Sequence, residues 1–311
     1  MPDSPTITLG DITAAQARIA GTVDRTPLVR ATSLGQAIGC ELWLKCENLQ
    51  VARAFKARGA HNAVFALDDA AAANGVATHS SGNHGAALAL AASRRSIPAH
   101  IVVPADANPT KRALIESFGA HIVLCEPTLE ARESRLAEVV ADTGARFVHP
   151  YEDPLVMAGQ GTVGLEILEE LSPDVVVVPL GGGGLLAGIA VACDALAPST
   201  QVLGAEPAGA ADGLAGFTSG QRVASHTPHT VADGLRTTVG RPNFELIRGL
   251  VDGILVADDD EILAAVAGLE AATGGPVEPS GAVAVAAIAR SPERFAGRTV
   301  VAVITGGNVA G

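Results

Sequence analysis

Aromatic residues and positive charges are both scarce in this sequence. Aromatics make up 3% of its 311 residues, and 21 lysines and arginines stand against 33 aspartates and glutamates, which gives a formal net charge of -12. Proteins that bind nucleic acid or anionic membranes through charge need a basic patch, and this chain has no basic run. We therefore expect neither nucleic acid nor a membrane as a partner.

Cysteines and long hydrophobic runs are also sparse. None of the four cysteines has a partner at the spacing of a zinc knuckle or a redox pair, so we expect reduced core residues. No apolar run reaches the length that crosses a bilayer, and residues 1–10 lack the basic and then apolar pattern of a targeting signal. These absences predict a cytoplasmic protein.

Aliphatic residues and glycine, in contrast, are abundant. Hydrophobic residues make up 48% of the chain and charged residues only 17%, and there are 35 glycines. This composition suits parallel sheets that are buried under helices on both faces. The length is sufficient for one large domain or two domains of ordinary size.

Strand-like and helix-like segments alternate in two series. The first predicts strands at residues 76–79, 100–103, 121–124 and 146–149, with helices at residues 83–95, 109–118 and 128–142 between them. The second predicts helices at residues 154–171, 185–196, 258–273 and 281–289, with strands at residues 174–178, 201–205 and 299–304. A helix at residues 11–20 capped by Asp11, a strand at residues 41–46 and a helix at residues 57–67 precede both series. This βαβ spacing predicts an α/β fold with parallel sheets and right-handed crossovers.

Lys56 follows Phe55 directly, at the start of a predicted helix. The positive end of the helix dipole and the nearby Arg53 and Arg58 favour the neutral amine of a lysine at this place. A neutral lysine amine can form a Schiff base with a carbonyl. A surface lysine on an amphipathic helix fits the same spacing, so this segment alone leaves both interpretations open.

Four consecutive glycines lie between a predicted buried strand and a predicted helix. They are Gly181, Gly182, Gly183 and Gly184. Glycines in such a turn let the backbone approach a phosphate and present free N–H groups at the helix N-terminus. Close packing of strand on helix is the alternative. A dinucleotide fold would add an acidic residue about twenty residues further on, near where Glu206 lies, so a nucleotide remains open as the ligand.

A second turn, Ser80-Ser81-Gly82-Asn83-His84-Gly85, also follows a predicted strand and opens a helix. Its N–H groups can bind an anion such as a substrate carboxylate. An ordinary serine N-cap is the alternative.

These motifs resemble those of fold-type II pyridoxal-phosphate (PLP) enzymes, which have the tryptophan synthase β-like fold. The resemblance is to the branch of serine racemases and serine/threonine dehydratases, including the threo-3-hydroxyaspartate dehydratases. It rests on Lys45-x-Glu47-Asn48-x-Gln50, Phe55-Lys56-x-Arg58-Gly59-Ala60 and the two turns, and it runs from about residue 26 to residue 308. It implies two parallel-sheet α/β domains with PLP between them. The large domain would comprise residues 1–65 and 152–311, and the small domain residues 74–151.

The resemblance also implies roles for individual residues. Lys56 would carry PLP and act as the catalytic base, and Ser81 would be the second catalytic residue, on the opposite face of the cofactor. The other cofactor contacts implied are Phe55, Asn83, Gly181, Gly182, Gly183, Gly184, Glu278 and Thr305. The substrate contacts implied are Ser80, Ser81, Gly82, His84 and Arg132. Two departures from the family pattern, Ala54 and Tyr151, bear on the choice of substrate.

A cation site is implied by the segment between Glu206 and Asp212. Two carboxylates six residues apart in a loop are commonly just solvated. The match to the racemase branch would instead make Glu206, the carbonyl of Ala210 and Asp212 ligands. Oxygen ligands imply Mg²⁺ or Ca²⁺ rather than zinc.

The resulting expectation is a PLP-dependent ammonia-lyase (dehydratase). It would convert a small β-hydroxy amino acid (L-serine, L-threonine or 3-hydroxyaspartate) into a 2-oxo acid and ammonia, and the branch implies serine racemisation as a second activity. We expect the enzyme to be a homodimer. The alternatives are another fold-type II reaction, such as β-replacement or threonine synthesis, and a non-catalytic nucleotide- or PLP-binding protein.

Overall fold

The computed structural model describes residues 7–309. The helices in this range are α1 (Leu9–Ile19), α2 (Thr32–Ile38), α3 (Lys56–Phe65), α4 (Asp69–Ala73), α5 (Asn83–Arg95), α6 (Pro109–Ser117), α7 (Leu129–Thr143), α8 (Pro154–Glu170), α9 (Gly184–Leu196), α10 (Asp212–Ser219), α11 (Arg241–Leu250), α12 (Asp259–Thr273) and α13 (Pro279–Arg290). The strands are β1 (Leu28–Arg30), β2 (Glu41–Lys45), β3 (Val76–His79), β4 (Ala99–Pro104), β5 (His121–Cys125), β6 (Arg146–Phe147), β7 (Val175–Pro179), β8 (Gln201–Pro207), β9 (Gly253–Ala257) and β10 (Thr299–Val303). None of these helices is both long and apolar enough to cross a bilayer.

The strands form two sheets. The larger has the order β1-β2-β10-β7-β8-β9, in which β1 pairs antiparallel with β2 and every other neighbouring pair is parallel. The smaller has the order β5-β4-β3-β6 and is parallel throughout. The predicted α/β fold class with parallel sheets is therefore confirmed.

Strand β7 shows how helices cover both faces of the larger sheet. Val175 and Val177 pack in one apolar cluster with residues of α13, whereas Val176 and Val178 pack in a second cluster with residues of α8, α9 and α11. All four valines are fully buried. Side chains alternate between the two faces of a strand, so a run of apolar residues is what a strand between two helical layers requires.

Helix α3 belongs to the layer that covers the smaller sheet. Ala60 and Val64 of α3 share an apolar cluster with Val76 and Ile101 of that sheet. The residues just before α3, however, form backbone hydrogen bonds with the segment that follows β10 of the larger sheet. Because the chain passes from one sheet to the other at this point, Lys56 lies at their junction.

The structure differs from the sequence-based assignment at several elements. Thr8, not Asp11, is the N-cap of α1, so that prediction was wrong; Asp11 instead completes a capping box, in which its carboxylate accepts from the Thr8 N–H at 2.8 Å. The elements that were not predicted are α2, α4, α10, α11, β1 and β9. Helix α11 could have been found, because its buried Phe244 and Ile247 are three residues apart on one helix face.

Candidate active site

Residues from both sheets line a cleft of about 650 Å³. A volume of this size can hold a cofactor together with a small substrate. The lining includes every residue for which the sequence predicted a cofactor or substrate contact: Phe55, Lys56, Ser80, Ser81, Gly82, Asn83, His84, Arg132, Gly181, Gly182, Gly183, Gly184, Glu278 and Thr305. The cleft lining also includes residues that the sequence did not single out, among them His79, Lys111 and His226.

Backbone contacts with the segment after β10 position Lys56. Ala54 forms an isolated antiparallel bridge with Gly306, and the Phe55 N–H donates to the Thr305 carbonyl at 3.1 Å. Ala54 is fully buried. The loop that carries Lys56 is therefore fixed against the end of the larger sheet, while α3 itself packs on the smaller one.

The Lys56 amine has a pKa well below the usual value of a lysine. Its Nζ donates to the Pro150 carbonyl at 2.8 Å and lies 5.0 Å from the centroid of the Phe55 ring. Burial lowers the pKa of Lys56 to about 8. A substantial fraction of this amine is thus neutral near pH 7–8, which is the form that reacts with carbonyls.

The nearby arginines are not the reason for this low pKa, and that part of the sequence argument was wrong. Arg53 is exposed. Arg58 is fully buried and its guanidinium donates to Glu47 at 2.8 Å and to Glu166 at 2.6 Å. Because two carboxylates offset its charge, Arg58 has little net field left to act on Lys56.

Lys45 belongs to the same buried network of ion pairs as Arg58. Its Nζ donates to Glu166 at 2.6 Å and to the Thr26 carbonyl at 2.7 Å. With Glu47 and Arg58, the network has two positive and two negative side chains. Buried charges persist only when they are paired and hydrogen-bonded, which is the condition met here.

The glycine loop approaches its neighbours too closely for a side chain. A Cβ on Gly182 would lie 2.3 Å from ring atoms of Tyr151, and Gly183 has a φ of +88°, which favours glycine. Gly183 is the N-cap of α9 and no side chain caps this helix in the described part of the chain. The first N–H groups of α9 are therefore available for an anion such as a phosphate.

The turn before α5 is a second uncapped helix start. Gly82, not a serine, is the N-cap, and among residues 7–309 no side chain caps this helix either. The Ser80 hydroxyl accepts from the Gly82 N–H at 3.3 Å. The ordinary serine cap is therefore ruled out, and the first N–H groups of α5 are available for a carboxylate.

Asn83 is held by two side chains at the cleft wall. Its Nδ2 donates to Glu278 at 2.7 Å, and its Oδ1 accepts from Asn308 at 2.9 Å. Burial, followed by the nearby Asp233, raises the pKa of Glu278 to about 7. An asparagine amide has a second N–H and a second lone pair, so Asn83 keeps capacity for a cofactor group.

His84 is buried and anchored. Its Nε2 lies 3.1 Å from the Val148 carbonyl, and burial lowers the pKa of His84 to about 3. The ring is therefore neutral at pH 7, and its Nε2–H donates to that carbonyl. Its Nδ1 is buried without a partner among the described residues.

Arg132 is a cation in the cleft without an anionic partner. Its Nε is buried and makes no hydrogen bond within the described range, and none of the ion pairs found there includes Arg132. Arg135, on the same helix, is by contrast exposed and paired with Glu138. A buried guanidinium nitrogen is costly to leave unpaired, so Arg132 is suited to an anion that enters the cleft.

Lys111 and Asp233 form an ion pair at the cleft. Lys111 lies on α6, beside the smaller sheet, whereas Asp233 lies on the loop after α10. Both residues line the cleft. This contact joins the two walls of the cleft, and spacing could not predict it because the partners are 122 positions apart.

The predicted cation ligands lie outside the cleft lining. Glu206 is fully buried and accepts from the N–H groups of Gly213 and Leu214, and Asp212 accepts from the Val239 N–H at 2.9 Å. Burial raises the pKa of Glu206 to about 8 and also raises that of Asp212. The alternative of a solvated loop is therefore wrong, because both carboxylates are buried and accept backbone N–H groups.

Comparisons with known proteins agree with this geometry. The family model described as "Pyridoxal-phosphate dependent enzyme" matches residues 19–306. The chain is 44% identical to a beta-hydroxyaspartate dehydratase of Paracoccus denitrificans (strain Pd 1222), over 97% of this chain and 96% of the relative. It is 40% identical to an L-threo-3-hydroxyaspartate ammonia-lyase of Saccharomyces cerevisiae (strain ATCC 204508 / S288c), over 97% of this chain and 93% of the relative.

A solved structure of maize serine racemase superposes with a TM-score of 0.95 at 40% identity and covers 98% of this chain and 95% of that chain. The predicted fold-type II architecture is thereby confirmed. Three features of the site also fit PLP: a lysine amine of lowered pKa, an uncapped helix after a glycine loop, and a cleft of sufficient size. The chain belongs to the family of pyridoxal-phosphate dependent enzymes.

Proposed function

We propose that the chain is an ammonia-lyase (dehydratase) that uses PLP to convert a β-hydroxy amino acid into a 2-oxo acid and ammonia, with 3-hydroxyaspartate as its best substrate. The observation that carries this choice is Arg132, the cleft cation without an anionic partner in the described part of the chain. L-Serine and L-threonine have one carboxylate, whereas 3-hydroxyaspartate has two. The uncapped turn before α5 binds the first, and Arg132 binds the second.

The relatives support the same substrate class. The bacterial relative is named a beta-hydroxyaspartate dehydratase, and the yeast relative an L-threo-3-hydroxyaspartate ammonia-lyase. The maize structure is of a serine racemase, which supports amino-acid racemisation as a second activity.

Lys56 both holds the cofactor and moves the substrate proton. When bound, PLP supplies a carbonyl that condenses with amines and a ring that withdraws electrons from the substrate Cα. The Lys56 amine, whose pKa is about 8, can take a proton from Cα near neutral pH, because its neutral form is then accessible. Removal of that proton allows the β-hydroxyl to take up a proton and leave as water, and hydrolysis of the dehydrated amino acid then gives the 2-oxo acid and ammonia.

The other proposed contacts are those that the resemblance implies, and the fact that all of these residues line the cleft supports them. Residues 181–184 and the start of α9 hold the cofactor phosphate, and Phe55, Asn83, Glu278 and Thr305 surround the ring. Ser80, Ser81, Gly82 and His84 belong to the turn that binds the substrate carboxylate. Ser81 is also the group that serves the second face of Cα.

The test is a comparison of Arg132→Gln with Arg135→Gln. Loss of one charged hydrogen-bonding partner costs about 1.5–3 kcal/mol, so kcat/KM for 3-hydroxyaspartate should fall about 10- to 150-fold in Arg132→Gln. The value for L-serine should change much less, because L-serine has no second carboxylate. Arg135→Gln, on the exposed part of the same helix, should behave as the unaltered enzyme with both substrates.

Two outcomes contradict the proposal. If Arg132→Gln lowers kcat/KM equally for 3-hydroxyaspartate and L-serine, Arg132 does not read the second carboxylate. If the unaltered enzyme forms no 2-oxo acid from either substrate, the lyase assignment itself is wrong.

A divalent cation, Mg²⁺ or Ca²⁺, is proposed at Glu206, Asp212 and the Ala210 carbonyl. The support is that both carboxylates are buried and lie in one segment with the Ala210 carbonyl, so that their oxygens are withdrawn from bulk water. A bound ion stabilises the folded state by mass action. Chelation should therefore lower the melting temperature and a divalent cation should restore it; an unchanged melting temperature would contradict the site.

The division into a large domain (residues 1–65 and 152–311) and a small domain (residues 74–151) remains a proposal, supported by the presence of two sheets. A homodimeric and cytoplasmic enzyme is likewise proposed. Light scattering after size-exclusion chromatography tests the dimer, and a monomeric mass would contradict it.

A further inference from the structure

Asn308, near the end of the described chain, joins two segments that belong to the cofactor cleft. Its Nδ2 donates to the Ala52 carbonyl at 2.8 Å and to the Asn83 Oδ1 at 2.9 Å. Ala52 lies in the loop before Lys56, whereas Asn83 begins α5. One side-chain amide therefore contacts both the loop that carries Lys56 and the asparagine at the cleft wall.

The turn that Asn308 contacts is an unusual one. Ala52 and Arg53 have φ values of 55° and 51°, in the left-handed region that residues other than glycine rarely adopt. Such a conformation persists only where the surroundings hold it. The Gly307 N–H donates to the Arg53 carbonyl at 2.9 Å, and the next residue, Asn308, donates to the carbonyl of Ala52. The turn and the segment of Asn308 are thus held against each other.

These contacts determine which way round each amide lies. A backbone carbonyl only accepts, so the group of Asn308 beside the Ala52 carbonyl must be its NH₂ group. The same NH₂ group faces Asn83, so the Asn83 atom opposite it must be the oxygen. The Asn83 Nδ2 is thereby turned toward Glu278, to which it donates at 2.7 Å.

Glu278 alone would not fix this orientation. Burial raises the pKa of Glu278 to about 7, so its carboxyl group is partly protonated at neutral pH. A protonated carboxyl group can donate to the Asn83 oxygen as well as accept from the Asn83 NH₂ group. The Ala52 carbonyl never donates, and through Asn308 it decides between the two orientations.

The orientation decides what Asn83 offers to a ligand in the cleft. Glu278 takes one of the two Nδ2 hydrogens, and the other has no acceptor within residues 7–309. PLP carries a phenolic oxygen beside its aldehyde, and a hydrogen-bond donor favours the ionised form of such an oxygen. A reversed amide would present an acceptor instead and favour the neutral phenol.

We propose that Asn308 is a positioning residue, which holds the Asn83 amide so that its NH₂ group donates to the phenolic oxygen of PLP. This inference rests on the cofactor contact proposed above for Asn83. Asn308 is not among the residues that line the cleft in the described chain, so it acts through Asn83.

The substitution Asn308→Asp tests this role, because it keeps the shape of the side chain and replaces the NH₂ group by an oxygen. The Asn83 amide should then reverse, since only its NH₂ group can donate to the new carboxylate. In the PLP-loaded variant, absorbance should move from the visible band of the ionised phenol toward the near-ultraviolet band of the neutral phenol, and PLP affinity should fall about 10-fold. Asn74→Asp, the same change at an exposed asparagine, should match the unaltered chain in both readouts.

A double-mutant cycle separates this positioning role from a general effect on the fold. In an Asn83→Ala background, Asn308→Asp should change neither the PLP affinity nor the spectrum any further, because Asn308 acts through Asn83. Equal effects of Asn308→Asp in both backgrounds, or an unchanged spectrum in the single variant, overturn the proposal.

A crystal structure of the unaltered, PLP-loaded enzyme adds a test that is independent of how the variants fold. Asn308 should still donate to both Ala52 and Asn83, and Asn83 should lie within hydrogen-bond distance of the phenolic oxygen. Loss of either contact overturns the role of Asn308 and leaves the lyase assignment standing. Failure of the unaltered enzyme to bind PLP contradicts the proposed function itself.

Discussion

Lys56 has a low pKa because it is buried at the junction of two sheets, with the Pro150 carbonyl as its hydrogen-bond partner. The charges closest in sequence contribute little, since Arg58 is neutralised by Glu47 and Glu166. The reactivity of this lysine is thus set by where the fold places it. The same holds for Arg132, which differs from Arg135 on the same helix only in its surroundings.

The low pKa of Lys56 predicts how the PLP-free protein takes up its cofactor. The amine must be neutral to attack the aldehyde, so the rate of PLP incorporation should rise with pH through a midpoint of about 8. An exposed lysine would give a midpoint near 10.4. The measurement is the growth of visible absorbance after mixing with PLP across a pH series, and a midpoint near 10 would contradict the burial argument.

Ser81 should separate elimination from racemisation. Lys56 can serve one face of Cα, and racemisation needs a second acid or base on the other face. In Ser81→Ala, racemisation should fall by about 100-fold or more, whereas 2-oxo acid formation from the L-substrate should be largely kept. Chiral chromatography together with a 2-oxo acid assay measures both. Retained racemisation would show that another group serves the second face.

The glycine loop between β7 and α9 acts as one element. Its start is fixed by a buried strand and its end by an uncapped helix, and Tyr151 packs against its middle. The sequence predicted this loop well because strand, glycines and helix are contiguous. The contact of Tyr151 with this loop could not be predicted, because Tyr151 lies in a distant part of the sequence, just before α8.

A methyl group in this loop should disturb the phosphate site. In Gly182→Ala the new Cβ would lie 2.3 Å from Tyr151 ring atoms, so the ring or the loop must move. Overpacking costs about 1–3 kcal/mol, which predicts PLP affinity lowered roughly 5- to 150-fold.

The matched control is Gly249→Ala, where a Cβ on helix α11 meets nothing within 4 Å. That variant should bind PLP normally and be slightly more stable, because alanine favours a helix over glycine by about 1 kcal/mol. Equal PLP affinity in the two variants, measured by equilibrium titration, would contradict the packing argument.

Across the whole molecule, contacts between distant segments escaped prediction. The two series of strands and helices were largely recovered, because periodicity is a local signal. Glu166 lies 108 positions from Arg58, and Lys111 lies 122 positions from Asp233, so neither pair could be read from spacing. His226 belongs to no sequence motif, and only the fold brings it beside Asp212.

The buried network should be central to stability. Glu166→Gln would leave Lys45 and Arg58 with one carboxylate between them, and breaking a buried pair costs about 3–5 kcal/mol of unfolding free energy. Glu169→Gln on the same helix is the control, because its partner Arg25 is exposed and such surface pairs contribute about 1 kcal/mol or less. The melting temperatures of the two variants are compared, and an equal fall in both would contradict the role of the network in stability.

The most direct test of the account is the turnover of 3-hydroxyaspartate by the purified, PLP-loaded enzyme. 2-Oxo acid and ammonia are measured with L-serine, L-threonine and each diastereomer of 3-hydroxyaspartate. The account predicts equal amounts of the two products and the highest kcat/KM for a 3-hydroxyaspartate diastereomer, because that substrate alone supplies a second carboxylate to Arg132. A higher kcat/KM for L-serine or L-threonine, or no 2-oxo acid from any of the four, would contradict it.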